Sequence, residues 1–232
     1  MGTLLNRRRY MGGAKEQGYI QDGLVFWLDG IDDGGVEGHW IDLKQNADFT
    51  LNETISKGTY GYIFTTSDAS KRAILNSSLN IPSYSTATVQ ICFKSNVNTG
   101  TRNTVECTIF NTMTTGYGPF LRYYYNKAED WIKITTAKTG SKAIIVPMNQ
   151  DKTMIDSTMS IAAGIGYLNG QEVTIVSLGG GYGAGSNIYL GGLTNQTICY
   201  CAIRMYNRIL TATEIVHNQK IDNIRFNLGL TI

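Results

Sequence analysis

Three aspartates, Asp29, Asp32 and Asp33, crowd the glycine-flanked stretch LDGIDDGG at 28–35. Calcium takes about six to eight oxygen ligands from loops of this kind. Asp29, Asp32 and Asp33 are therefore the candidate metal ligands, and calcium is the one candidate cofactor. The spacing is not that of an EF-hand. The local alternative is that Asp29 caps its own turn by accepting backbone amides, as aspartate often does. Catalytic carboxylates are harder to find. Retaining glycoside hydrolysis needs two carboxyl groups about 5–5.5 Å apart, and the sequence has no E-x-E or E-x-D-x-x-E. Glu129 and Asp130 are adjacent, which on a strand sends them to opposite sides. Two histidines, His39 and His217, and no nucleophile elbow argue against a Ser-His-Asp triad. The chain is thus expected to be non-catalytic, and no catalytic residue is assigned.

The aromatic stretch FLRYYYNKAEDWIKI (120–134) is the strongest binding candidate. On a strand, Phe120, Arg122 and Tyr124 share one face, and Leu121, Tyr123 and Tyr125 the other. One set belongs to a core, and the outer set can meet sugar rings, because tyrosine has an apolar body and a polar tip. Tyr123, Tyr125 and Trp131 are the candidate carbohydrate contacts. Tyr182, at the centre of GGGYGAGS (179–186), is a fourth. The alternative for the aromatic set is cross-strand packing within a sheet. The glycine run is not a phosphate cradle, since no Lys-Ser/Thr follows it.

The third chemical feature is NRRRYMGG (6–13). Residues 1–15 carry Arg7, Arg8, Arg9 and Lys15 and no acid, so this segment alone holds +4. The whole chain is +2, which leaves −2 for the remainder. Adjacent arginines neutralise phosphates, yet a nucleic-acid-binding body carries a basic face of its own. Nucleic acid is therefore not an expected partner. Arginines fork onto carboxylates, and Leu4, Leu5, Tyr10 and Met11 add apolar anchors. Arg7, Arg8, Arg9 and Tyr10 are read as an assembly arm that joins the body to other protein chains, with a homo-oligomer expected. No apolar stretch of about 7–15 residues follows the arginines, so a secretory leader is not expected. No run approaches the ~18 apolar residues of a membrane helix, and no membrane partner is expected.

These groups need a scaffold. The 232 residues are 42% hydrophobic and 16% charged, with 26 glycines and three prolines, which suits a single large all-β domain rich in tight turns. Cys92, Cys107, Cys199 and Cys201 form no C-x-x-C pair and are read as free thiols behaving as small hydrophobes. The apolar run Leu24–Leu28 reads as a buried strand. Further strands are expected at 60–65, 87–94, 104–110, 119–125, 131–136, 142–146, 187–192 and 197–207. Asn169-Gly170, between two β-rich runs, marks a hairpin with a type I′ turn. One helix is expected over 210–226, opened by the capping box Thr211-x-x-Glu214. Ile215, Ile221 and Ile224 are expected to form its packing face.

The two ends of this scaffold carry a resemblance. DGLVFWLDGIDDGG followed by HWIDLKQNADFTL (22–51) resembles the opening of the concanavalin A-like, laminin-G-like jelly-roll superfamily, through Gly23, Leu24, Asp29, Trp40, Asp42 and Leu43. CAIRMYNRILTATEIVHNQ (201–219) is similar to that group's closing strand and helix, through Arg204, Tyr206, Asn207, Arg208, Leu210, Thr211 and Glu214. The opening L-L-N-R-R-R-Y-M-G-G resembles starts found ahead of laminin-G-like bodies in proteins of gut Bacteroidales and their phages. The resemblance implies an all-β, concanavalin A-like two-sheet jelly-roll sandwich with one C-terminal helix. An extended basic arm (1–19) would precede the sandwich (20–232). It further implies a structural or surface protein of a phage particle, made in the bacterial cytoplasm and carried on the virion, with a cell-surface glycan as a partner. The alternative is a free carbohydrate-binding module of a gut bacterium, located at the cell surface.

Overall fold

The computed structural model describes residues 18–64, 73–75, 87–96, 104–108, 111–112, 122–126, 131–135, 142–147, 154–162, 165–173, 175–177, 188–190 and 197–232. Within them the chain is all-β apart from one terminal helix. The strands are β1 (Leu24–Asp29), β2 (His39–Ile41), β3 (Asp48–Thr50), β4 (Ser56–Lys57), β5 (Tyr62–Phe64) and β6 (Ala73–Leu75). They continue as β7 (Thr88–Asn96), β8 (Thr104–Thr108), β9 (Asn111–Thr112), β10 (Arg122–Asn126), β11 (Trp131–Thr135) and β12 (Lys142–Pro147). The last are β13 (Met154–Ala162), β14 (Ile165–Leu168), β15 (Gln171–Val173), β16 (Ile175–Ser177), β17 (Ile188–Leu190) and β18 (Thr197–Tyr206), followed by α1 (Ala212–Arg225).

Three antiparallel ladders result. The large sheet runs β15-β14-β13-β7-β18-β5-β4, with β1 also paired to β18. A second sheet runs β2-β3-β6-β17-β9, and a third β16-β12-β11-β10-β8. The core between the first two is apolar. From the large sheet it takes Phe26, Leu28, Phe64, Val89, Ile91, Phe93, Tyr200, Ile203 and Met205, and from the second Trp40, Phe49, Ala73 and Leu190. The alternation of β7 makes this possible, because Val89, Ile91 and Phe93 share one face of a period-two strand. This is the jelly-roll-like β-sandwich expected from the sequence.

The ends of the chain close the sandwich. β1 and β18, from opposite ends, pair directly, with Trp27 opposite Arg204 and Leu28 opposite Ile203. A bulge in β18 between Tyr200 and Ala202 shifts its register against β7. At that point Gly61 lies against β18 so closely that a Cβ there would fall 1.9 Å from the Tyr200 carbonyl oxygen. Glycine is the one residue type that fits this approach. The Asn169-Gly170 turn has both residues at positive φ, 50° and 85°, as a type I′ turn requires. It joins β14 to β15, and β13 pairs with β14 to make a three-strand meander.

The helix start follows the sequence. The Glu214 amide donates to the Thr211 hydroxyl (3.3 Å), and the Thr211 amide donates to the Glu214 carboxylate (2.8 Å). The packing face follows the sequence only in part: Ile215 is buried and Ile221 packs against the core, but Ile224 does not. The buried residues of α1 are Ile215, Asn218, Gln219, Asp222 and Arg225, while Ile224 is 59% exposed. The i, i+3, i+4, i+7 spacing of this set is helical, but its chemistry is polar. The reason lies in the sheet: the face covered by α1 presents Gln90, Thr158, Ser160 and Arg204, which need hydrogen-bonding partners when buried.

Candidate functional site

The acidic loop is divided between two tasks. Asp29 ends β1 and is fully buried. Its Oδ1 accepts the amides of Ile31 (3.0 Å) and Asp32 (2.9 Å), which is turn capping. The Arg225 guanidinium then grips the same carboxylate from α1, Nε to Oδ2 at 3.0 Å and Nη2 to Oδ1 at 2.8 Å. Asp33 turns elsewhere. Its Oδ2 accepts the Tyr62 hydroxyl at 2.5 Å and pairs with Lys57, and Oδ1 accepts the Gly35 amide. Burial pushes the Asp33 carboxyl up, but the hydrogen bonds from Lys57 and Tyr62 outweigh it and hold the group below its ordinary range. Burial and the Asp33 partner push the Tyr62 phenol well above its ordinary value. Among the described residues, no three His, Cys, Asp or Glu side chains converge as a metal cage would need.

Behind the large sheet, α1 lies over a continuous polar seam. Asp222 is its centre: Oδ2 accepts Arg204 Nη2 at 2.5 Å and the Thr158 hydroxyl at 2.8 Å, and Oδ1 accepts the Tyr19 hydroxyl at 2.9 Å. The Tyr19 ring lies 4.3 Å from the Arg204 guanidinium carbon and edge-on to Trp27. Asn218 donates to Gln90 (2.6 Å) and to the Tyr206 hydroxyl (2.9 Å), and accepts the Ile20 amide (3.0 Å). Gln219 accepts the Gly170 amide of the hairpin turn and donates to Ser160. Burial, then the Asp222 charge, raises the Tyr19 phenol far above its ordinary range. These groups hold the helix, the hairpin and the chain entry together. They are enclosed, so the seam is structural. Sequence reasoning missed it, although Arg204 and Tyr206 had been singled out within the closing motif. Tyr19 was read as the end of the arm, yet it is 3% exposed and packs with the body.

The cysteines follow their expected role in part: Cys92 and Cys201 are buried free thiols, and Cys199 is half-buried. Burial pushes the Cys92 thiol up to about 11, which leaves it unreactive as a nucleophile at neutral pH.

The aromatic candidates lie in the third sheet, which is described as a backbone ladder. Tyr123 pairs with Cys107 and Ile134, and Tyr125 with Val105 and Ile132. Trp131 pairs with Asn126 and Pro147. Residues directly paired across a sheet share a face, and neighbours along a strand alternate. The register therefore separates Trp131 from Tyr123 and Tyr125. Following the ladder outward, the Tyr123/Tyr125 face carries Val105, Cys107, Ile132, Ile134, Ile144, Val146 and Ile175, with Lys142 and Ser177 at its far edge. The Trp131 face carries Thr104, Glu106, Thr108, Arg122, Tyr124, Asn126, Lys133 and Thr135, with Ala143, Ile145 and Pro147 on β12. Tyr182, with its glycine run, and the arm residues Arg7, Arg8, Arg9 and Tyr10 lie outside the described residues.

No protein-family profile matches the sequence, and no curated protein matches it. Solved structures do. The Trypanosoma rangeli sialidase is similar over 87% of this chain and 33% of its own, at 16% identity and a TM-score of 0.58. The botulinum neurotoxin serotype D binding domain is similar over 86% of this chain and 52% of its own, at 15% identity and a TM-score of 0.63. The botulinum neurotoxin type G receptor binding domain is similar over 86% and 51%, at 15% identity and a TM-score of 0.62. The chain thus spans one third of the sialidase and about half of the toxin domains. At these identities the likeness is one of fold, that of β-sandwich domains. It corrects one expectation. Missing carboxylate pairs point to a non-catalytic chain, yet a structure similar to this chain is a sialidase. The absence of one reaction's motif excludes that reaction alone, not catalysis in general.

Proposed function

We propose that this chain is a lectin-like, concanavalin A-like sandwich that presents a glycan-binding surface on a bacteriophage particle, fastened there by its basic N-terminal segment. The observation that carries glycan binding is the third ladder, whose register sorts a largely aliphatic face from one where Tyr124 and Trp131 stand beside Arg122, Lys133 and Asn126. Antiparallel sheets commonly pack one face on a core and leave the other to solvent, which supports reading the Trp131 face as the one that meets a ligand. The solved likenesses support the reading: a sialidase of this fold likeness is known in complex with sialic acid, and the botulinum neurotoxin type G domain is a receptor binding domain. The phage setting rests on the resemblance of the opening residues, and the tether on the charge of residues 1–15.

A glycan array with the full chain, run with and without calcium, tests the binding half. Saccharide hits are expected, and an empty array in both conditions would overturn it. The tether is tested by deleting residues 1–17. The deletion stops short of Tyr19 because that residue is part of the body. The truncated protein is expected to fold with an unchanged melting temperature and to be missing from assembled particles, whereas normal incorporation would end the tether reading.

A further inference from the structure

The ladder allows the ligand to be named more closely, on the basis of the glycan-binding reading above. Three cross-strand rows stand side by side on one face of β8, β10, β11 and β12. The first is Thr108, Arg122, Thr135 and Ala143. The second is Glu106, Tyr124, Lys133 and Ile145, and the third is Thr104, Asn126, Trp131 and Pro147. Two ring-bearing positions, Tyr124 and Trp131, therefore fall in adjacent rows and on adjacent strands. Paired positions lie about 4.5–5.5 Å apart and diagonal ones about 7–8 Å, which is the span of one or two sugar rings. Arg122 and Lys133 bracket Tyr124, the former two residues along its own strand and the latter directly opposite.

We infer that this face, centred on Tyr124, Trp131, Arg122 and Lys133, binds a saccharide bearing a carboxylate. Rings suit the apolar side of a pyranose, and Asn126, Thr104 and Thr135 suit its hydroxyls. Two cations against the single anion Glu106 leave the face net positive, and charge-assisted bonds from arginine or lysine to a carboxylate are about twice as strong as neutral ones. The Tyr123/Tyr125 face has no comparable set around its rings: the cross-strand partners of both tyrosines are valine, isoleucine and cysteine, and its one cation, Lys142, stands two strands away and one row beyond Tyr123.

The test pairs an array of neutral and carboxylate-bearing saccharides with calorimetry on the best binder, using the full chain. Carboxylate-bearing sugars are expected to dominate the hits. Reducing that carboxyl to an alcohol is expected to weaken binding to the wild type about tenfold, a loss of about 1.4 kcal/mol. Lys133→Ala and Arg122→Ala are expected to cost about as much for the acid and little for the alcohol, while Trp131→Ala weakens both. Thermal melts identify any variant that fails to fold, and the ligand-side comparison needs no variant at all. Neutral sugars as the best hits, or equal affinity for acid and alcohol, would overturn the inference and leave glycan binding standing. Unchanged affinity in folded Lys133→Ala and Trp131→Ala would do the same for the site. No saccharide hit of either kind would overturn both.

Discussion

On the sandwich side of β1, β7 and β18 stand Phe26, Leu28, Ile91, Phe93, Ile203 and Met205. On the helix side of the same strands stand Trp27, Gln90 and Arg204, equally enclosed. The first set is held by area: a fully buried large apolar side chain gains about 1.5–3 kcal/mol, without demanding a direction from its neighbours. The second is held by geometry. A guanidinium taken out of water must be matched by charge and donors must meet acceptors, so Arg204, Asp222, Thr158 and Tyr19 have to arrive together. The match is incomplete. Nε and Nη1 of Arg204 have no hydrogen-bond partner among the described residues, and the Tyr19 ring covers the guanidinium instead. Burial alone therefore does not define a core. One face of this sheet is expected to tolerate repacking, and the other specifies which helix residue meets which strand residue.

Breaking each face should show the contrast. Asp222→Ala leaves the Arg204 charge buried and two hydroxyls without their acceptor, and is expected to cost about 3–5 kcal/mol in urea unfolding. Phe26→Ala on the apolar side should cost a similar ~3–5 kcal/mol. The conservative Phe26→Leu should return a large part of that loss, since leucine keeps the site apolar and fills much of the cavity that alanine would leave. Asp222→Asn, equally conservative in shape, should not, because it removes the charge that pairs with Arg204. If Asp222→Asn is as mild as Phe26→Leu, the seam is not charge-specified.

Smaller effects sharpen the same comparison. Tyr19→Phe keeps the ring over Arg204 and deletes the bond to Asp222, for an expected loss of about 1–2 kcal/mol. Thr211→Ala removes the α1 cap and should cost about 1 kcal/mol at neutral pH. The same corner gives a pH signature. The hydrogen bonds from Arg208, then those from Thr211, hold the Glu214 carboxyl down at about 2 despite some burial. A carboxyl depressed in the folded state stabilises at pH above its unfolded value, about 4.3. That contribution is lost as pH falls toward about 2. Denaturant midpoints measured between pH 5 and 2 should fall less steeply in Glu214→Gln than in the wild type. The smallest effect is expected at Ile224, which is 59% exposed. Ile224→Ser should stay within about 0.5 kcal/mol, and a larger loss would restore the apolar packing face that the sequence suggested.

The sequence's success was local. Strands at 62–64, 88–96, 131–135 and 197–206, the turn at Asn169-Gly170 and the cap at Thr211 were legible because each signal spans a few residues along the chain. The short strands β2, β4, β6 and β9 carry too few residues for an alternation to register. The candidate sugar contacts were legible as types and not as a set. Tyr123, Tyr125 and Trp131 looked alike on β10 and β11, but a shared face depends on cross-strand register.

By itself, then, the sequence determined a sheet-rich chain, the start of its helix and the identity of the chemically able residues, because alternation, turn dihedrals and caps are short-range. Only the tertiary structure decided that Asp29 meets Arg225, that Asp222 gathers Arg204, Thr158 and Tyr19, and that Trp131 shares a sheet face with Tyr124. Those pairings join residues distant in the chain, or turn on a one-residue shift that reverses every face of a strand. No local pattern encodes either.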